Sequence, residues 1–87
     1  MLVHEIKTIK PVYKAIRKIL LAWDRDAIIT LEHVHEKNLR ITVVSDKFVN
    51  MGLKQRIDAV IAELDRCAPN ICKEYKVNVN TFTLIES

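Results

Sequence analysis

The chain has 87 residues, 49% of them hydrophobic, with one Gly and two Pro, a composition that fits one small folded domain and argues against disorder. So little Gly also argues against a phosphate-cradling loop, whose walls are backbone N–H groups that only Gly lets a ligand approach. Lys plus Arg number 14 against 11 Asp plus Glu, a net charge of +3 that permits a nucleic-acid partner without requiring one.

No run approaches the roughly 20 apolar residues that a membrane span needs. Met1 to Lys7 carries His4, Glu5 and Lys7 where a signal peptide has its apolar stretch. A cytoplasmic protein is expected, with Cys67 and Cys72 as reduced thiols.

Thr8 or Lys10 is expected to open the first helix, with Pro11 in its first turn, where no N–H is needed. Val12, Ile16, Ile19, Leu20 and Trp23 then recur at helical spacing and form one core-facing stripe. Lys10, Lys14, Arg17 and Lys18 fall opposite them as a basic stripe, and Asp24-Arg25-Asp26 breaks the pattern. Ala27 to Val34 is rich in β-branched residues, and Leu39 to Val44 alternates apolar against polar, so two strands are expected. The turn between them, His35 to Asn38, predicts an antiparallel hairpin in which Asn38 can take a left-handed conformation.

Ser45 to Gly52 reads as a connector, with Asn50 placed to cap the next helix. Leu53, Ile57, Val60, Ile61 and Leu64 repeat the helical spacing until Pro69 stops it. Tyr75 to Leu84 alternates again as the last strand. A helix joining the second strand to the third makes those two parallel. The expected fold is therefore a two-layer α+β domain over residues 1–87. Its order is α-β-β-α-β, with a three-stranded mixed sheet and the helices on one face.

Val43-Val44-Ser45-Asp46-Lys47-Phe48, followed without a gap by Leu53, Arg56, Val60 and Leu64, resembles the signature segment of the BolA family. Val77, Val79, Thr81 and Thr83 match that family's last strand, and the similarity runs from about Ala27 to Glu86. The resemblance implies a fold related to the class II KH domain and a non-enzymatic role. It also implies a monothiol glutaredoxin as partner, an iron-sulfur cluster shared with that partner, or DNA-binding regulation of stress responses. Ser45, Phe48, Arg56 and Tyr75 occupy family-motif positions. At five family positions the residue differs: Asn38 replaces a His just before the second strand, Asn50 replaces a Gly, Ile57 and Asp58 replace the His and second Arg of an R-H-R, and Tyr75 replaces the cluster-binding His. A phenol is a poor substitute for imidazole on an iron-sulfur centre.

His33 and His35, two apart on a strand, could face one way and grip a metal, with His4 as a chance third ligand. The C-x₄-C of Cys67 and Cys72 has no second pair, and no base beside either thiol marks a nucleophile. Trp23 reads as core. Lys47, Lys54 and Arg56 flank the connector where a KH domain holds nucleic acid, and the stripe of Lys14, Arg17 and Lys18 could follow a phosphate backbone. Tyr75 and Phe82 could serve as stacking platforms, with core packing the simpler reading for Phe82. No catalytic constellation stands out. A binding module is expected, adaptor or nucleic-acid regulator, and monomeric or weakly dimeric through an exposed strand edge.

Overall fold

The computed structural model describes the backbone of residues 2–87 and the side chains of residues 9–87. The elements in chain order are α1 (Leu2–Trp23), β1 (Ile28–His35), β2 (Asn38–Val44), a single 3₁₀ turn (Asp46–Phe48), α2 (Leu53–Cys67), α3 (Pro69–Glu74) and β3 (Lys76–Phe82). β2 is the central strand, antiparallel to β1 and parallel to β3. The expected α+β architecture is the one observed, with a third, short helix added.

The alternation of the strands decides which residues meet the helices. Odd-numbered residues form inward rows: Ile29 beside Val43 beside Thr81, then Leu31, Ile41 and Val79, then His33, Leu39 and Val77. Ile16 and Leu20 of α1 and Val60 and Leu64 of α2 close over these rows to make one apolar core. α3 adds Ile71 and Cys72 at its margin. Even-numbered residues form the rows of the open face. Ile28, Val44 and Phe82 make an apolar row, Thr30, Thr42 and Asn80 a neutral polar one, and Glu32, Arg40 and Asn78 a charged one.

Thr81 is the exception to the inward pattern. Its hydroxyl is buried beside Val43 and is the one buried side-chain oxygen or nitrogen among the described residues without a hydrogen-bond partner. Val has the same shape without the unsatisfied group. Thr81→Val is therefore expected to raise stability by about 1 kcal/mol, measured as the urea midpoint at unchanged m-value. A lower midpoint would mean that the hydroxyl is satisfied.

Several local expectations are corrected. α1 starts at Leu2, so Pro11 lies inside the helix, on its exposed side, where water can serve the carbonyl that the absent N–H leaves free. Pro69 does end α2, but it also opens α3 as that helix's first residue, which places Cys72 on a helix. Asn38 is the first residue of β2 and has no positive φ. The pairing register slips by one between His33 and His35, so a bulge in β1 absorbs the reversal. Asn50 takes φ 69°, a left-handed conformation that Asn tolerates, and does not cap α2. Gly52 is the N-cap, and its N–H donates to Oε1 of Gln55 at 2.9 Å. Leu53 opens α2 but is 66% exposed.

Candidate interaction surface

The residues that carry the sequence resemblance meet at the junction of β2 and α2. Ser45 continues β2, its N–H donating to the Phe82 carbonyl at 2.9 Å. Its hydroxyl accepts from the Lys47 N–H at 3.1 Å and donates to Oδ2 of Asp24 at 2.5 Å. One side chain thus caps the 3₁₀ turn and ties the end of α1 to the end of β2. The turn then drives Phe48 inward, where it is wholly buried and meets the Trp23 ring at 5.7 Å. Trp23 is half-buried at the edge of the core, with Nζ of Lys47 4.9 Å above it.

Arg56 completes the junction. It donates to the Met51 carbonyl at 2.9 Å and grips both oxygens of Glu86, at 2.6 and 3.1 Å. Its side chain is only 13% exposed. Asp58, the carboxylate nearest in sequence, is not its partner. Asp58 instead pairs with Lys54 one turn away, at 3.3 Å. Glu86 also accepts from the Thr83 N–H at 2.8 Å. The guanidinium and that N–H hold its carboxyl well below the ordinary range, at about 2.

The basic residues read as a phosphate-binding set have separate neighbours in the fold. Arg17 donates to the Ile29 carbonyl at 2.9 Å, which occupies part of the free edge of β1. Lys10, Lys14 and Lys18 remain exposed on α1. At the connector, Arg56 is committed to Glu86, Lys54 faces Asp58 and Lys47 lies over Trp23. Beside Lys47 opens a cleft of about 340 Å³ between Asp24, Asp26, Asp46, Val44 and Leu84, with Ser45 in its lining. Three carboxylates line the cleft beside one ammonium, a local excess of negative charge.

The bulge in β1 also separates the two histidines. His33 lies on the inward side with Nε2 2.6 Å from the Glu36 carbonyl, and His35 follows the register slip. The side chain of His4 lies outside the described residues. Among the described residues no three His, Cys, Asp or Glu side chains are grouped to hold a metal. Tyr75, where the resemblance would put a cluster ligand, is 5% exposed with the Lys37 ammonium 5.2 Å from its ring centroid. A buried phenol beneath a cation does not fit an iron-sulfur cluster, nor is Tyr75 available as a stacking platform. Phe82 is the reverse case: expected in the core, it stands on the open face at 38% exposure. Burial and the carboxylate of Asp65 push the Cys72 thiol up, away from the reactive thiolate. Cys67 is exposed, its Sγ 3.9 Å from the Glu63 carboxylate.

A scan against models of known families and searches of curated proteins and of solved structures found no match to this chain. The likeness to BolA proteins is therefore one of residues and spacing. Ser45, Phe48 and Arg56, the motif residues, act here as the internal supports of the β2–α2 junction, and Asn50 supplies its left-handed turn. Sequence reasoning missed Asp24 and Glu86, which anchor Ser45 and Arg56 from 21 and 30 residues away. The only trace of them in the sequence is an Asp-x-Asp after a helix and a Glu beside the last residue.

Among the described residues no helix is long and apolar enough to cross a membrane.

Proposed function

We propose that the chain is a BolA-like, non-enzymatic protein-binding module, with a monothiol glutaredoxin-type protein as its partner class. The observation that carries this choice over a nucleic-acid regulator is the electrostatics of the connector. Beside Lys47, at the start of the connector, the cleft is lined by Asp24, Asp26 and Asp46, and Arg56 is held by Glu86. The motif that suggests the family supports the same reading through the turn it builds. Partner binding in this reading does not pass through an iron-sulfur cluster on Tyr75, because the phenol is buried.

Calorimetric titration of the purified chain with the monothiol glutaredoxin of its own cell, both without cluster, tests the proposal. Binding with a shallow salt dependence is expected. A parallel titration of duplex DNA and single-stranded RNA is expected to show no binding at low salt. The reading fails if glutaredoxin does not bind. It also fails if nucleic acid binds, weakens steeply with salt and loses affinity on Lys47→Ala or Lys54→Ala.

A further inference from the structure

The sheet has two free edges, and they differ. On β1 the Ile29 carbonyl is taken by Arg17, and the bulge between His33 and His35 twists the far end. On β3 the Lys76 N–H donates to the Lys37 carbonyl, and the Phe82 carbonyl accepts from the Ser45 N–H. Lys76 and Phe82 therefore point their backbone groups into the sheet. By the alternation of a parallel ladder, so do Asn78 and Asn80. Val77, Val79 and Thr81 must then aim their N–H and C=O outward, and among the described residues none of these groups has a backbone partner.

Both ends of this edge are closed. Thr83, the next outward-pointing residue, gives its N–H to Glu86. At the other end Tyr75 is the C-cap of α3, its N–H held by the Ile71 carbonyl. What remains open is the seven-residue strand Lys76–Phe82, whose middle residue is Val79.

We infer that this edge binds a second copy of the chain, β3 against β3 in antiparallel fashion about a two-fold axis beside Val79. The strand is symmetric about that residue in the way such an axis requires. Val79 pairs with its counterpart and Val77 with Thr81 of the other copy, each pair exchanging two backbone bonds. On the open face the same register sets Lys76 opposite Phe82, ammonium beside ring, and Asn78 opposite Asn80, amide beside amide. Like charges meet nowhere along it. Val77 and Val79, half-exposed in the single chain, become covered. The product is a six-stranded sheet that extends the surface of the module, and the glutaredoxin reading above does not depend on it.

Sedimentation of the full chain from micromolar to millimolar concentration is the test, with circular dichroism to check folding. The mass is expected to double across that range. Asn78→Glu with Asn80→Glu puts two like-charge pairs across the axis and is expected to weaken dimerisation by at least about tenfold. Asn78→Glu with Asn80→Lys makes both pairs attractive and is expected to restore it. Val79→Pro removes an outward N–H but no bond within the sheet, and is expected to abolish the dimer. A chain that stays monomeric to millimolar concentration overturns the inference and leaves the edge to a strand of a different protein. A dimer indifferent to all three variants overturns it as well, because it then assembles through another surface.

Discussion

Phe48→Ala is expected to cost about 3–5 kcal/mol of folding stability, the range for emptying a buried aromatic site. A chain of 87 residues has roughly 4–13 kcal/mol in total, so the variant loses about a quarter of its stability or more. The ring is fully buried in a core that α1, α2 and the sheet share, and it stacks obliquely on Trp23. The 3₁₀ turn that delivers the ring is held at Ser45, so the junction of β2 and α2 loosens along with the core. Urea unfolding followed by far-ultraviolet dichroism measures the loss. A midpoint near that of the unaltered chain would mean that Phe48 is not part of the shared core.

Acid is expected to weaken the fold in part through Glu86. Its carboxyl titrates at about 2 in the folded protein, held down first by the Arg56 guanidinium and then by the Thr83 N–H. Unfolded, it returns to the ordinary glutamate value of about 4.3. A group whose folded pKa is depressed stabilises the fold fully above its unfolded pKa. That stability is lost as the pH falls through the window from about 4.5 toward 2. Glu86→Gln keeps the shape and removes the charge, so the variant should melt at a lower temperature than the unaltered chain at pH 7. The two should converge as the pH approaches 2. Parallel melting curves across the whole range would show that Arg56 and Glu86 do not stay paired in solution. Arg56→Lys should behave like Glu86→Gln, because a single ammonium cannot hold both oxygens and the Met51 carbonyl at once.

Periodicity in the sequence determined the elements that carry the fold. The stripe of Ile16 and Leu20, the stripe of Val60 and Leu64, and the alternation of Leu39, Ile41 and Val43 each specify an element and its buried face, because burial must follow the 3.6-residue or two-residue repeat of the backbone. The parallel placement of β3 followed from the helix between the strands. Local chemistry was less legible where one residue can serve two ends. Pro69 both stops a helix and starts one, and Asn50 can cap a helix or turn left-handed. Gly52 and Gln55 took the capping role and left Asn50 to the turn.

The candidate surface depended on tertiary structure almost throughout. Lys47, Lys54, Arg56 and Arg17 count equally in a net charge. Folding gave each a different neighbour: an indole, an aspartate one turn away, a glutamate 30 residues on, and a strand carbonyl. A charge acts through what stands within a few ångströms of it, and that distance is set by chain segments far apart in sequence. The bulge that parts His33 from His35 and the ladder that leaves Val77, Val79 and Thr81 facing outward are likewise matters of pairing register. The sequence by itself determined the main buried stripes and the order in which the elements run, because hydrophobic period is a local property. Only the tertiary structure decided which polar groups remain free to meet a partner, because hydrogen bonds and ion pairs are satisfied across the fold.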